Sequence, residues 1–370
     1  MDIADLDRLL TMLEELDGSD LHVKAGAPPR MRIAGALRTL HEEPTFTAED
    51  TQRIAEAMMT ETVLETFHAK HEADYAYSVP GTGRFRVNAY YQRSSTALAI
   101  RRVRASPATA EELGLPPVVS QLAQEMRGLV LVTGPTGSGK TTTLAAMVDH
   151  INHLRACHIV TIEDPVEVLH KDDLAAIDQR EVGFDTDSFS SAMRVILRQD
   201  PDVILVGEMR DQETVAAALS AAETGHLVFS TLHTINATET INRIVDFFPP
   251  HQQTQIRISL AGSLQGIVCQ RLIPTVDGES RVPALEVLVI NGRIQQAIVD
   301  PLLTGDIDAI VADGAYYGMV TFDQSLAALL ATGRITLAEA MATATNPHDL
   351  KVMLERQGIL QTGSFAAQLG

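Results

Sequence analysis

Tryptophan is absent, and aromatic residues make up only 4% of the 370-residue chain. A protein that tracks single-stranded nucleic acid needs a basic groove and aromatic platforms for the bases. Here Asp and Glu outnumber Lys and Arg by 48 to 29, for a formal net charge of −19. That balance repels phosphate backbones and anionic lipid, so no nucleic-acid partner is expected. Cysteine is nearly missing as well. Cys157 and Cys269 lie far apart in apolar surroundings and fit neither a disulfide framework nor a zinc motif, which predicts a reducing cytoplasmic home. No window approaches the ~20 apolar residues that span a bilayer. The start, Met1-Asp2-Ile3-Ala4-Asp5, lacks the basic and apolar segments of a signal peptide. Direct membrane insertion is therefore not expected, and membrane contact would go through a partner.

What is present is a hydrophobic fraction of 45%, enough for real cores, in a length suited to two domains. Residues 1–18 predict an amphipathic helix with Ile3, Leu6, Leu9, Leu10, Leu13 and Leu16 on one side. Short strand-like pieces follow at 20–23 and 31–33, then a helix over 47–69. Alternating segments at 73–79, 84–92 and 96–103 predict strands, the last two joined as a hairpin through Arg93-Ser94-Ser95. This α+β unit is expected to span 1–105, with a proline-marked linker over 106–118. From 119 to 361 apolar strands at 128–133, 158–162, 203–206 and 227–231 alternate with helical stretches. That pattern predicts an α/β domain with a parallel sheet covered on both faces. Beyond about residue 250 the expectation is helix, apart from one strand at 284–290. Residues 362–370 read as a loose tail.

Between the first of those strands and a helix lies Gly134-Pro135-Thr136-Gly137-Ser138-Gly139-Lys140-Thr141, a G-x-x-x-x-G-K-[ST] loop followed by Thr142. Its glycines let backbone N–H groups turn inward around phosphate oxygens, and the helix that follows adds its positive end. Lys140 would reach the β- and γ-phosphates, and the Thr141 hydroxyl would bind Mg²⁺. ATP with Mg²⁺ is thus the expected ligand pair.

In a parallel sheet, ligands bind beyond the carboxyl ends of the strands. The expected strands end in Glu163-Asp164-Pro165, Gly207-Glu208 and Leu232-His233. Hydrolysis needs one carboxylate to orient water and one to hold the metal, for which Glu163 and Glu208 are the candidates. His233 could sense the γ-phosphate or be a packing residue. His226 begins the strand that His233 ends, and seven residues at ~3.3 Å each put the two about 20 Å apart. It would serve another interface or the structure alone. In the first unit, Arg84 and Arg86 share one strand face, with Arg101, Arg102 and Arg104 on the partner strand. Such a row is either solvated surface or the source of an arginine finger for a neighbouring subunit.

Taken in order, Gly18-Ser19-Asp20-Leu21-His22, Gly83-Arg84-Phe85-Arg86-Val87-Asn88, the Gly134–Thr141 loop, Thr161-Ile162-Glu163-Asp164-Pro165, Leu197–Asp211, Ala222-Glu223-Thr224-Gly225-His226 and Thr231-Leu232-His233-Thr234 resemble the type IV pilus retraction ATPases, the twitching-motility branch of the secretion ATPases. The resemblance implies a homohexamer in which an N-terminal PAS-like domain sits on the RecA-like domain of the next subunit. It implies a motor that removes pilin through an inner-membrane platform protein, alongside related pilus ATPases. By position it makes Glu163 the catalytic glutamate, Glu208 the Walker B acid, and His226 and His233 the histidine box. Arg86, Arg101 and Arg84 match the arginines that reach the nucleotide. One stretch departs from the pattern. Ala297-Ile298-Val299-Asp300-Pro301-Leu302-Leu303-Thr304 lacks two arginines common in that branch, and Pro301 is expected to break the helix there. The alternative readings are an assembly-type or accessory secretion ATPase and, more remotely, a RecA-like nucleic-acid motor.

Overall fold

A computed structural model describes residues 1–103 and 107–360 of the chain. Arg104, the first residue of the expected linker and the expected 362–370 tail lie outside the described residues. The chain divides into two compact units, Met1–Ser106 with Glu167–Leu169, and Pro107–Val166 with His170–Gly370.

The first unit opens with α1 (Ile3–Glu15), started by a reciprocal cap in which Asp2 and Asp5 each accept from the other's neighbourhood of backbone N–H groups. Its Leu6, Leu9, Leu10 and Leu13 are buried, whereas Leu16, expected on the same face, follows the helix and is exposed. Strands β1 (Gly18–Lys24), β2 (Arg30–Ile33) and β3 (Ala36–Thr39) come next. The third was not expected; it arises because Ala34 and Gly35 both adopt positive φ and turn the chain back on itself. The helix anticipated over 47–69 is two helices, α2 (Ala48–Ala57) and α3 (Glu61–Lys70), because Thr60 adopts an extended cap conformation between them. Strands β4 (Glu72–Val79), β5 (Gly83–Gln92) and β6 (Ser95–Arg102) complete an antiparallel sheet of order β3-β2-β1-β6-β5-β4. Gln92 pairs with Ser95 across a two-residue turn whose Arg93 and Ser94 both have positive φ. Phe85 and Val87 point into one core with Leu21, Leu98, Ile100, Phe67 and the α1 leucines, so Arg84 and Arg86 take the other face.

The second unit runs α4 (Pro117–Ala123), β7 (Gly128–Thr133), α5 (Lys140–Leu154), β8 (His158–Glu163), β9 (Ala176–Glu181), α6 (Phe189–Ile196), β10 (Val203–Val206), α7 (Gln212–Glu223), β11 (Leu227–Leu232), α8 (Ala237–Asp246) and α9 (Pro250–Ser263). Then come β12 (Leu264–Pro274), β13 (Arg281–Val289), α10 (Gly292–Val299), α11 (Ile307–Ala312), α12 (Phe322–Ala331), α13 (Leu337–Thr343) and α14 (Pro347–Arg356). The sheet order is β13-β12-β7-β11-β10-β8-β9, parallel throughout except for the β12–β13 pair. Leu129 and Leu131 of β7 enter one buried cluster while Val130 and Val132 enter another, so both faces are covered.

Three local expectations fail here. Helix α4 starts at Pro117, inside the stretch read as linker. Strand β9 was unforeseen because Ala176-Ile177-Asp178-Gln179-Arg180-Glu181 is a charged edge strand without an apolar run. The region after residue 250 is not helical except for one strand; β12 lies between β7 and β13. Helix α9 passes directly into β12 at Leu264, and the nearby Gly262 and Gly266 lie within the helix and the strand rather than in a loop between them, so the change of period is not marked. Gly266 is needed in β12, where a Cβ would come within 2.9 Å of the Leu122 side chain and the Leu288 carbonyl oxygen. As expected, α10 ends at Val299, two residues before Pro301. Among the described residues no helix is long and apolar enough to cross a membrane.

Candidate nucleotide site

Strand β7 delivers the chain into the glycine loop, where Gly134, Gly137 and Gly139 have φ of 144°, 79° and 89°. L-residues rarely occupy such conformations. Space is a second constraint. A Cβ on Gly134 would lie 2.4 Å from the Gln270 carbonyl oxygen, and one on Gly139 would lie 2.7 Å from Gln270 Nε2. The loop leaves a cradle that side chains would fill, closed at its far end by the first turn of α5. Pro135, Thr136 and Gly137 are exposed, Thr141 and Thr142 are half-buried, and Ser138 is buried. Lys140 curls back over the loop, donating to the carbonyls of Gly134 at 2.8 Å and Pro135 at 3.2 Å. Gln270 of β12 supports the loop from behind, accepting from the buried Thr143 hydroxyl at 2.7 Å. Sequence reading missed Gln270 because β12 itself was not recognised.

Around the loop the carboxyl ends of β8, β10 and β11 present the acidic and histidine candidates. His233 bridges two of them. Its Nδ1 lies 3.5 Å from the Lys140 ammonium and its Nε2 3.4 Å from Glu208 Oε1. Arg210 donates from Nε to Glu208 Oε2 at 2.8 Å and from Nη1 to Asp164 Oδ2 at 3.3 Å. The arginine thereby joins the ends of β8 and β10, a role the sequence did not reveal. Glu163 is not a loop residue but the buried last residue of β8. Its Oε1 accepts from Thr161 Oγ1 at 2.7 Å and from Gln179 Nε2 at 3.1 Å.

His226 is kept apart from this group. Strand β11 separates it from His233, and its Nδ1 lies 3.0 Å from the Ala221 carbonyl oxygen and 3.3 Å from Thr224 Oγ1, at the end of α7. Arg84, Arg86 and Arg101 belong to the other unit. There Arg86 stands directly across from Arg101, which stands directly across from Asp20. Arg101 Nε donates to Asp20 Oδ1 at 2.9 Å. Burial pushes the Asp20 carboxyl up, but hydrogen bonds from Arg101 and Ser19 outweigh it and hold the group below its ordinary value.

One more acid lies near the site. Thr133, Cys269 and Glu286 are in register across β7, β12 and β13, one residue before the glycine loop. Glu286 accepts from the Ala237 N–H at 2.7 Å, at the start of α8. Burial pushes its carboxyl up to about 7, against the pull of that hydrogen bond.

A glycine cradle opening a helix, with a lysine, a histidine and Glu208 at its rim, is chemistry for a nucleotide's phosphates. The family of type II/IV secretion system proteins matches residues 3–361. The chain belongs to that family. This secretion-system protein is 42% identical over 345 residues to the type IV pilus retraction ATPase PilT of Pseudomonas aeruginosa, covering 93% of this chain and 99% of that one. It is 40% identical over 351 residues to the type IV pilus ATPase PilU of the same organism, covering 95% and 91%. A crystal structure of the pilus retraction motor PilT with bound ADP aligns with a TM-score of 0.86 at 46% identity, over 95% of this chain and 100% of that one.

Proposed function

We propose that this chain is an ATP-hydrolysing motor that powers type IV pilus retraction, as a homohexamer. The observation that carries the reading is the line from Lys140 through His233 to Glu208, built at the mouth of a glycine cradle. The similarity to PilT along nearly the whole of both chains adds the pilus.

In this reading the loop N–H groups and the first turn of α5 bind the β- and γ-phosphates, and Lys140 leaves the loop carbonyls to meet them. Mg²⁺ suits the site because Thr141 and Glu208 offer the hard oxygen donors it prefers. When bound, the metal would neutralise charge on the phosphates. Glu163 orients the attacking water, and His233 reports the γ-phosphate through its contacts with Lys140 and Glu208. Arg86 is the better candidate for a finger reaching a neighbouring subunit's nucleotide, since Asp20 already engages Arg101; Arg84 is the third. His226 acts at another interface or caps α7. The motor would work on the cytoplasmic face of the inner membrane through a platform protein, with related pilus ATPases as further partners.

A second reading is an accessory pilus ATPase. It draws on the 40% identity to PilU and on the altered 297–304 segment, where α10 stops at Val299.

The deciding experiment is steady-state ATPase rate against protein concentration, beside light scattering with and without Mg-ATP. Specific activity is expected to rise as a hexamer-sized species appears, and Arg86→Ala to lower it without weakening nucleotide affinity. A monomer with equal turnover would remove the shared active site.

A further inference from the structure

Glu163 is a buried acid, and a buried carboxylate must be matched with donors or lose its charge. Its nearest neighbour in the sheet makes matters worse. Glu163 stands in register with Glu181, another buried acid, on the adjacent strand β9. Like charges side by side on a sheet repel. One rung earlier, Thr161 faces Gln179, and both donate to Glu163 Oε1.

The amide of a glutamine can usually be turned either way without changing its shape. Here its orientation is determined. The His170 backbone N–H donates to Gln179 Oε1 at 2.9 Å, and an N–H can only donate. The amino group of Gln179 must therefore face Glu163. The chain that returns after β8 thus fixes a side chain on β9, which in turn fixes the end of β8.

We infer that Gln179 is a positioning residue for Glu163, holding its carboxyl group in one plane beside Glu181. This rests on the reading of Glu163 as the group that orients water. A bland role is also available to Gln179, as a strut that merely satisfies a buried acid and a loop N–H, so the test must move something that a strut would not.

Two variants of the full-length chain separate these roles. Gln179→Leu removes the bonds to Glu163 and to the His170 N–H. Gln179→Glu keeps the acceptor for the His170 N–H but replaces the donor with a carboxylate oxygen. Under saturating Mg-ATP both are expected to lose about ten- to a hundredfold in kcat, as misplacement of a reacting group does. Affinity for ATP should stay near that of the wild type. As pH falls, the introduced carboxyl of Gln179→Glu can be protonated and donate again, so its kcat relative to the wild type should rise. In single-turnover assays in a Glu163→Gln background, neither change should lower the residual rate further. An unchanged kcat in a folded Gln179→Leu protein, or the same fold-loss with and without Glu163, overturns the inference. If Glu163→Gln itself turns over ATP at the wild-type rate, the role of Glu163 falls, and this inference falls with it. An inactive Glu163→Gln beside a fully active Gln179→Leu would remove only the inference. Should Gln179→Leu fail to fold, Gln179→Glu carries the test through its pH profile.

Discussion

Strand β11 has a histidine at each end, and their fates differ. His233, past the carboxyl end, stands between Lys140 and Glu208. His226, at the amino end, meets the carbonyl oxygen of Ala221 and the hydroxyl of Thr224. The residue type is the same and six strand residues separate the pair, so the environment must come from the direction of the sheet. Where strands run parallel, helices begin beyond one edge and finish at the other. The carboxyl edge collects N–H groups and positive helix ends, which suit phosphates and acids, and the amino edge collects carbonyls. Glu286 follows the same rule, its carboxylate resting on the first N–H of α8. A histidine is therefore read by the edge it occupies before it is read by its neighbours in sequence.

The largest test of that contrast is Lys140→Ala. Removing the one ammonium in the loop should lower turnover by roughly a hundred- to a thousandfold, the cost of one lost charge-stabilising donor. A phosphate-release assay checks it, and unchanged turnover would take Lys140 out of the site. The histidine pair gives a smaller and more direct comparison. His233→Ala is expected to cost about ten- to a hundredfold in kcat, because hydrogen bonds to charged groups are worth about 1.5–3 kcal/mol. His226→Ala should leave the turnover of each assembled subunit close to the wild type and instead cost about 1 kcal/mol of stability, a typical hydrogen bond. Kinetics and thermal melts on the two variants in parallel would show it; equal kinetic losses would erase the distinction between the two edges.

Glu286 supplies a pH dependence rather than a kinetic loss. Its folded value of about 7 lies above the ordinary value of 4.5, so the native state holds a proton that the unfolded chain releases earlier. The stability it contributes is full below about pH 4.5 and is lost as pH rises through about 7, by about 3 kcal/mol in total. Glu286→Gln keeps the acceptor for Ala237 but does not titrate, so its melting temperature should fall less between pH 5 and 8 than the wild type's. Parallel slopes would place the titration elsewhere.

How much of this was legible beforehand depended on whether a segment announced its own period. Strands β7, β10 and β11 are short apolar runs bounded by turn residues, so their ends, and with them Glu208 and His233, could be located without a structure. The glycine loop identified itself by residue type and spacing. Gln270 and Gln179 could not be found that way. The first sits on a strand that continues a helix with no loop between them, the second on a charged edge strand that resembles a loop. Their importance comes from neighbours 127 and 16 residues away in the chain, Thr143 and Glu163. Arg210 was visible as a residue but not as a link, since its partner Asp164 lies 46 positions earlier.

The crowding of the glycine loop by Gln270 has a practical side. At position 134 an added methyl group would strike backbone, and at 139 it would displace the amide that Thr143 depends on. Variants of Gly134 and Gly139 would therefore damage the domain's architecture before they spoil any ligand contact, and loss of function in them would report on folding. Variants at Lys140, whose half-buried side chain lies over the loop, are the safer inactive controls for work in cells.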